Sequence, residues 1–376
     1  MEVVMNTKKN VFHGSDIEKI EERYHIPRRD IIAFGSNVNP LGISPGLRRA
    51  LQEQIDAITT YPDRDYKTLR DCIADYTGTK REQIMAGNGS TELISLAMQT
   101  IRPKRACILG PTYSEYEREI GLGGGECFSF PLRPEDGFAL NAARLRPVLL
   151  EGVDVLVMCN PNNPTSSIIR RTQLNELLTL CAQLHIFVVV DETYIEFTDD
   201  PAEASAVSLL ADFSNLLILR GVSKFFAAPG LRLGYALCSN NSLLEEMKRR
   251  QDPWTINSLA AIAGEQMFRD SDYIARTRAL IRAERTRIYR KLSKNPHLHP
   301  FVPSANFILV QIVDHSMTAA DFFDIAIRRG LMIRDCASFD FLEDYYFRFC
   351  FLLPEQNDRL LACIEEAFPS GQAETN

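Results

Sequence analysis

The sequence predicts an α/β protein with a mostly parallel central sheet in a large domain, followed by a smaller α+β domain. Three observations support this prediction: the length of 376 residues, an alternation of short apolar runs with longer amphipathic runs, and a change of pattern in the last third. A chain of this length is long for one hydrophobic core and suits two domains. Apolar residues at 45% and charged residues at 24% are ordinary for a globular protein.

The middle of the chain carries the predicted strands of the central sheet. These are short aliphatic and β-branched runs at 106–109, 154–159, 186–190 and 215–219. Both faces of each run are apolar, which is typical of central strands in a mostly parallel sheet. Helical patterns such as 173–184 lie between them, and this alternation predicts a layered α/β domain.

The last third of the chain predicts the smaller domain. A long charged amphipathic stretch at 259–292 comes first, and we expect it to be a helix that joins the domains. Strand-like runs at 306–310 and 345–351 then alternate with helical patterns at 318–329 and 355–368.

Charge and cysteine content argue against several classes of protein. A net charge of −7 is unlike that of a nucleic-acid binder. The nine cysteines include no C-x-x-C pair and several lie in apolar runs, so we expect reduced, buried side chains and no metal site. No apolar run reaches the roughly 18 residues of a membrane helix, and no signal peptide is visible. We therefore expect a cytoplasmic protein without membrane association.

Two polar motifs could bind polar groups of a ligand. The segment Gly-Asn-Gly-Ser-Thr-Glu at 87–92 opens a helical run, so its backbone N–H groups could bind a phosphate. A plain turn with a helix cap is the alternative. The segment Asn-Pro-Asn-Asn-Pro-Thr at 160–165 follows a predicted strand and presents amides there, or forms only a rigid turn.

Two further motifs carry charge at predicted strand ends, where ligands gather in open α/β sheets. Asp191 begins the segment Asp-Glu-Thr-Tyr after a buried strand, where a carboxylate needs a partner. A protonated pyridine nitrogen would serve, as would a helix N-terminus or a buried ion pair. Lys224 follows Ser223 after the next strand and could form an imine with an aldehyde cofactor. Arg232, in Gly-Leu-Arg-Leu-Gly, could bind the cofactor phosphate.

Together the four motifs supply a binding partner for every polar group of pyridoxal 5′-phosphate (PLP). They supply a phosphate site, an amide for the ring oxygen, an acid for the ring nitrogen and an amine for the aldehyde. Tyr113, after the strand at 106–109, could stack on the ring. The sequence therefore predicts a PLP enzyme with its cofactor bound to Lys224.

The same motifs, with Pro-Thr-Tyr at 111–113, resemble those of the fold-type I PLP enzymes, the aspartate aminotransferase superfamily, over nearly the whole chain. The resemblance implies a large PLP domain at 45–265 and a small domain at 266–376, which the N-terminal segment 1–44 joins. It also implies a homodimer with shared active sites. The roles it implies are Lys224 for the aldehyde, Asp191 for the ring nitrogen, and other cofactor contacts from Asn163, Tyr194, Ser90, Thr91, Tyr113, Ser223, Arg232 and, in the neighbouring subunit's site, Tyr61.

Further segments resemble the threonine-phosphate decarboxylases and, next to them, the histidinol-phosphate aminotransferases. These segments are His-Gly at 13–14, 36–42, Pro-Trp-Thr-Ile-Asn at 253–257, 333–336 and 346–348. The resemblance implies decarboxylation of an O-phospho-L-amino acid, which would supply the cobalamin linker. It places the substrate phosphate near His13, Asn37 and Arg334 and the carboxylate near Arg348, with Asn163 also contacting the substrate.

Departures from the family pattern keep alternatives open. Gly221 stands where a serine or threonine usually helps to bind the cofactor phosphate. O-phospho-L-serine, which would give ethanolamine phosphate, is therefore a second candidate substrate beside L-threonine O-3-phosphate. A histidinol-phosphate-type aminotransferase remains an alternative, as does a protein that binds a ligand without turnover.

Overall fold

The computed structural model describes Gly14 and residues 16–370, and these residues form eleven β-strands and twelve α-helices. The strands are β1 (Ile84–Gly87), β2 (Arg105–Gly110), β3 (Glu126–Pro131), β4 (Val155–Cys159), β5 (Phe187–Asp191), β6 (Leu216–Gly221), β7 (Gly234–Cys238), β8 (Leu298–Pro300), β9 (Phe307–Ile312), β10 (Arg334–Asp335) and β11 (Tyr346–Cys350). The helices are α1 (Ile17–Tyr24), α2 (Pro45–Glu53), α3 (Lys67–Thr77), α4 (Gly89–Ile101), α5 (Glu115–Leu122), α6 (Ala142–Leu149), α7 (Arg171–Gln183), α8 (Asn241–Arg250), α9 (Ser258–Met267), α10 (Ser271–Leu292), α11 (Ala319–Ile327) and α12 (Pro354–Ala367).

The chain divides into two units. The large unit takes residues 38–163 and 167–280, and the small unit takes the described residues up to 37 together with 164–166 and 281–370. Each unit has a sheet of its own, and each is described separately below.

The large unit is built on a seven-stranded sheet in the order β1-β7-β6-β5-β4-β2-β3. Strands β3, β2, β4, β5 and β6 run parallel, and β7 is antiparallel to both of its neighbours. Strands β4, β6 and β7 are buried along their whole length, as expected for strands covered on both faces. The predicted α/β fold with a mostly parallel sheet is confirmed.

The prediction of one long helix at 259–292 is wrong. The structure has two helices there, α9 and α10, separated at residues 268–270. The side chain of Asp270 accepts a hydrogen bond of 3.1 Å from the backbone N–H of Tyr273. An aspartate that accepts from the first turn of a helix starts that helix afresh, and the amphipathic pattern alone does not reveal such a break.

The small unit contains a four-stranded antiparallel sheet in the order β10-β11-β9-β8. Helices α11 and α12 belong to this unit. Thr318 begins α11 through a reciprocal pair of hydrogen bonds with Asp321, a capping box. The bulky core of the unit includes Phe322, Phe347 and Phe349, each of which is buried.

Across the described ranges of the chain, no helix combines the length and the apolar character needed to cross a membrane.

Candidate active site

Three of the predicted motifs meet at one edge of the large sheet. In the parallel strands β4, β5 and β6, Cys159 pairs with Asp191, and Asp191 pairs with Leu219. Because the carboxyl ends of parallel strands meet at the same edge, the loops after these strands, which contain Asn163, Tyr194 and Lys224, leave the sheet side by side. Tyr194 is buried, whereas Asn163, Ser223 and Lys224 are half-buried.

Asn39, near the start of the large unit, holds the backbone around Lys224 through hydrogen bonds. The backbone N–H of Asn39 donates to the Lys224 carbonyl at 3.0 Å, and the Asn39 side-chain amide donates to the Phe225 carbonyl at 2.7 Å. The same amide lies 2.8 Å from the hydroxyl of Thr277. These bonds explain the buried asparagine in the segment 36–42: it holds the turn that presents the lysine.

Asp191 is a buried carboxylate with three internal donors. Its Oδ1 accepts from the backbone N–H of Thr193 at 2.9 Å and from the Thr193 hydroxyl at 2.6 Å. Its Oδ2 accepts from the hydroxyl of Tyr116 at 2.7 Å. Burial raises the pKa of Asp191, and the bonds from Thr193 and Tyr116 act in the opposite direction. A carboxylate can accept about four hydrogen bonds, so one position remains for a ligand.

The loop at 87–92 packs directly against Arg232. A side chain added to Gly89, whose φ is +82°, would come within 2.5 Å of Nη2 of Arg232. A side chain added to Gly234 would come within 2.7 Å of the backbone nitrogen of Ser90. These glycines therefore let the guanidinium group and β7 approach the start of α4, where backbone N–H groups are available for an anion.

Glu92 holds this loop to the segment 253–257. Its carboxylate accepts from the backbone N–H of Asn88 at 2.6 Å, from the side-chain amide of Gln251 at 3.2 Å, and from the hydroxyl of Thr255. The Pro-Trp-Thr-Ile-Asn motif thus supports the loop through Thr255.

Tyr113 lies close to Thr91 in α4 and to Arg232. Burial raises the pKa of Tyr113, with a further contribution from the charge of Glu115; a hydrogen bond with Thr91 and the charge of Arg232 act in the opposite direction. The neighbouring Thr112 hydroxyl donates to Oδ1 of Asn162 at 2.9 Å. The structure therefore brings Tyr113, Thr91 and Arg232 together, as the sequence predicts.

The donor set of this edge fits PLP. It offers an anion site at the start of α4 with a guanidinium group beside it, a buried carboxylate with one open position, and a lysine in the loop after the adjoining strand β6. A buried carboxylate that keeps an open position is unfavourable without a partner, and the ring N–H of PLP is such a partner.

A buried ion cluster lies directly beside these residues and was not predicted. Arg220, at the end of β6, donates to Oε2 of Glu192 through Nε at 3.0 Å and through Nη2 at 2.7 Å. Its Nη1 lies 3.8 Å from Oε1 of Glu196. Burial raises the pKa of Glu196 to about 7, although the charge of Arg220 opposes this shift. The cluster joins the residue after Asp191 to the strand that leads to Lys224.

The small unit contains two buried arginines at paired positions of β10 and β11, Arg334 and Arg348. Nη2 of Arg348 donates to the Gly35 carbonyl at 2.8 Å, and Nη2 of Arg334 donates to the Ser338 hydroxyl at 2.8 Å. The Arg334 guanidinium lies over the ring of Phe339, 5.5 Å from its centroid. Nη1 of Arg334 is buried and has no hydrogen-bond partner among the described residues.

Opposing charges act on this arginine pair. Burial lowers the pKa of Arg334 and the positive charge of Arg348 acts in the same direction, whereas the charges of Asp335 and Asp16 act in the opposite direction. Two buried like charges repel each other, and an anion bound between or beside them would remove that repulsion.

Asn37, a predicted substrate residue, is buried in the small unit with a left-handed backbone at φ 56°. The side-chain amide of Asn306, which was not predicted, donates to the Asn37 carbonyl at 2.9 Å. His13 lies outside the described residues.

Tyr61 is on the surface of the large unit with 79% of its area exposed. Its ring centroid lies 4.7 Å from that of Trp254, which is 40% exposed, and Arg64 lies over the Trp254 ring at 5.5 Å. Ile55 and Ile58, in the turn that precedes Tyr61, are also exposed.

The fold and the groups at this sheet edge are those of the aminotransferase class I and II family. The family model for aminotransferase class I and II matches residues 29–364, and the chain belongs to this family. The predictions of the fold-type I family, of a PLP cofactor and of a PLP-dependent enzyme are confirmed.

The names of similar proteins describe two different activities. The chain is 34% identical to the threonine-phosphate decarboxylase of Salmonella typhimurium over 94% of this chain and 96% of that protein. It is 31% identical to the histidinol-phosphate aminotransferase of Methanopyrus kandleri over 92% and 90% of the two chains. Among solved structures, the histidinol-phosphate aminotransferase of Clostridium acetobutylicum is similar with a TM-score of 0.83 and 30% identity, covering 89% of this chain and 98% of that chain.

Proposed function

We propose that this protein decarboxylates an O-phospho-L-amino acid, with L-threonine O-3-phosphate as the first candidate substrate. Its product would be (R)-1-amino-2-propanol O-2-phosphate, the linker of cobalamin. The observation that carries the proposal is the buried arginine pair of the small unit, Arg334 and Arg348, because this substrate has two anionic ends. Guanidinium groups bind both phosphate and carboxylate in a bidentate manner.

In this proposal each arginine has its own anion. Arg334, whose Nη1 is open among the described residues, binds the phosphate together with Asn37 and His13. Arg348 binds the carboxylate. With both ends held, rotation about the bond between Cα and the amine nitrogen would be restricted, which would favour loss of the carboxylate over loss of the proton at Cα. Remote binding energy is thereby used to select the bond that breaks.

The residues of the large unit carry out the remaining steps. Lys224 would hold the cofactor through its aldehyde, and Asp191 would place a negative charge against the ring nitrogen. The bound cofactor supplies an electron-withdrawing ring that takes up the electron pair of the broken Cα–carboxylate bond. Decarboxylation replaces the carboxylate at Cα by a proton and gives carbon dioxide as the other product, and the amine of Lys224 is the group of this chain that would deliver that proton. Ser90, Thr91, Ser223 and Arg232 bind the cofactor phosphate, Tyr113 stacks on the ring, and Asn163 and Tyr194 contact its oxygen.

The test is release of labelled carbon dioxide from carboxyl-labelled phosphothreonine and phosphoserine. We expect release from one or both, with little keto acid formed. Histidinol phosphate with 2-oxoglutarate is the competing reaction, and the similarity to histidinol-phosphate aminotransferases makes it the second candidate function. Glutamate formed from that pair, without carbon dioxide release from either phospho-amino acid, would replace the decarboxylase proposal with the aminotransferase.

We also propose that the active protein is a cytoplasmic homodimer in which Tyr61 reaches the cofactor phosphate of the other subunit. Support for the dimer comes from the exposed apolar side chains of Ile55, Ile58 and the stacked pair Tyr61 and Trp254, since exposed apolar patches often mark an interface. Support for the location comes from the nine cysteines, which are free and mostly buried.

Subunit mixing tests the shared site. A Lys224→Ala subunit and a Tyr61→Ala subunit are each defective as homodimers. In a mixed dimer, the site that keeps Lys224 also receives Tyr61 from the other subunit. We expect activity to return on mixing, in a species that sediments as a dimer. Mixtures that stay as inactive as their components would contradict the assignment of Tyr61.

A further inference from the structure

The hydroxyl of Tyr116 is the one donor to Oδ2 of Asp191 among the described residues, whereas Oδ1 receives two bonds from Thr193. Tyr116 lies in the first turn of α5 and is 1% exposed. Its ring packs edge-to-face on Tyr113 at a centroid distance of 5.7 Å. The phenol is therefore held in place by packing as well as by its hydrogen bond.

We propose that Tyr116 is a positioning residue that keeps the Asp191 carboxylate ionised and turned toward the ring nitrogen of PLP. The inference rests on the role proposed above for Asp191. With Thr193 occupying Oδ1 and Tyr116 occupying one direction of Oδ2, the remaining lone pair of Oδ2 points along a single direction. The carboxylate cannot rotate without losing at least one of these bonds.

The surroundings of Tyr116 keep its hydroxyl protonated, so it remains a hydrogen-bond donor to Asp191. Burial raises the pKa of Tyr116 well above its ordinary value, and the charge of Asp191 adds to the shift, so the phenol stays protonated. Burial likewise raises the pKa of Cys159, the sheet partner of Asp191, so its thiol stays neutral and adds no competing negative charge. Neither Tyr116 nor Cys159 therefore competes with Asp191 as a carrier of negative charge.

Loss of the Tyr116 hydroxyl would leave a buried carboxylate oxygen short of a donor. Burial already raises the pKa of Asp191, and removing one of the bonds that oppose this effect moves it further in the same direction. A protonated Asp191 cannot pair with a protonated ring nitrogen. The consequence is weaker binding of PLP through its ring nitrogen, with the phosphate and aldehyde contacts unchanged.

The experiment measures binding of PLP to the apoenzyme, with a ring analogue as the internal control. In the analogue a C–H group replaces the ring nitrogen, so Asp191 has nothing to pair with. We expect Tyr116→Phe to weaken PLP by roughly tenfold and to leave binding of the analogue within about twofold of the parent protein. Tyr24→Phe, which removes a tyrosine hydroxyl that bonds to the Asp324 carboxylate in the small unit, is the matched control and should bind both as the parent does.

Two results would overturn the proposal: unchanged PLP binding in Tyr116→Phe, or equal losses for PLP and the analogue, which would mean that Tyr116 only packs. A second comparison does not need the single variant to fold. Adding Tyr116→Phe to Asp191→Ala should change PLP binding no further, and an additional loss would also overturn the proposal. Neither comparison depends on the substrate, so their outcome is independent of whether the enzyme is a decarboxylase.

Discussion

Asp191 in the large unit and Arg334 in the small unit are both buried charges, but the protein surrounds them differently. Asp191 accepts three hydrogen bonds from two neighbours. Arg334 has one hydrogen bond, to Ser338, and a ring contact with Phe339, and its Nη1 is open among the described residues. A buried charge held from several sides has one orientation, whereas a charge held at one end can adjust.

This difference matches what each charge is proposed to bind. A cofactor that stays through every turnover benefits from a fixed partner, because a preorganised group needs no reorganisation during the reaction. A substrate that enters and leaves benefits from a group whose last hydrogen bonds are made only when it binds. Changes at Asp191 should therefore alter the cofactor and the chemistry, and changes at Arg334 should alter the substrate alone.

The largest effect is expected for Asp191→Asn. The ring nitrogen loses its anionic partner and the ring becomes a weaker acceptor of electrons, so turnover should fall on the order of 100-fold or more, about 3 kcal/mol in activation free energy. Folding should be retained, since the amide has the same shape as the carboxyl group. Steady-state kinetics with thermal unfolding measure both, and Asp212→Asn at the exposed surface is the control. Turnover close to that of the parent would contradict the role of Asp191.

Glu196 extends the comparison to a buried carboxylate that is poorly paired. Its Oε2 has no hydrogen-bond partner among the described residues, and its pKa is raised from 4.5 to about 7. Between these values the folded protein holds a proton that the unfolded chain has lost. The free energy of unfolding should therefore fall as pH rises from about 4.5 to about 7, by at most about 1.4 kcal/mol per pH unit.

Glu196→Gln should remove that fall. Denaturant unfolding of both proteins between pH 5 and pH 8, roughly the span of the shift, measures the effect. The two proteins should be similar at the acid end, and the variant should be the more stable at the alkaline end. Parallel pH profiles would mean that Glu196 does not titrate in this range.

Arg334→Ala tests the other side of the comparison. Loss of a charge-assisted hydrogen bond costs about 1.5–3 kcal/mol, so KM for the phosphorylated substrate should rise roughly 10- to 100-fold. Binding of PLP to the apoenzyme should stay within about twofold, because Arg334 has no proposed contact with the cofactor. Arg328→Ala, which removes an exposed pair with Asp324, is the control and should change neither. Equal losses for substrate and cofactor would contradict the division of roles.

Asp191 and Lys224 could be selected from the sequence as residues of the proposed cofactor site because their signal is local. Asp191 and Lys224 each follow an apolar strand, and a charge at that place is informative by itself. The sheet then brings the strand ends together, which the alternation of strands and helices already implies. The four predicted strands are present in the structure within a few residues of their predicted ends.

Supporting residues could not be predicted because their partners are far away in the sequence. Tyr116 and Asp191 are 75 positions apart, and Asn306 and Asn37 are 269 apart. Neither residue type is unusual where it stands, so no local pattern marks it. The short strands β1 and β3 were missed for a related reason: β1 has four residues and β3 includes a proline, and pairing with β7 and β2 is what makes them strands.

The smallest effect is expected at the phosphate end of the cofactor site, for Gly221→Ser. We propose that backbone N–H groups and Arg232 form this end, and one position where a hydroxyl could lie is occupied by glycine. A side chain added to Gly221 would meet the Leu233 carbonyl oxygen at 3.6 Å and the Ser90 hydroxyl at 3.9 Å, both ordinary contact distances. A serine therefore fits without displacing its neighbours and places a donor beside Ser90. A new hydrogen bond of about 0.5–1.5 kcal/mol should tighten PLP binding by roughly two- to tenfold.

Gly221→Ala fills the same space without a hydroxyl and should leave the affinity unchanged. Apoenzyme titration with PLP compares the three proteins. A gain in both variants would attribute the effect to the added Cβ rather than to the hydroxyl, and weaker binding in both would show that the phosphate end is as closely packed as the ring-nitrogen end.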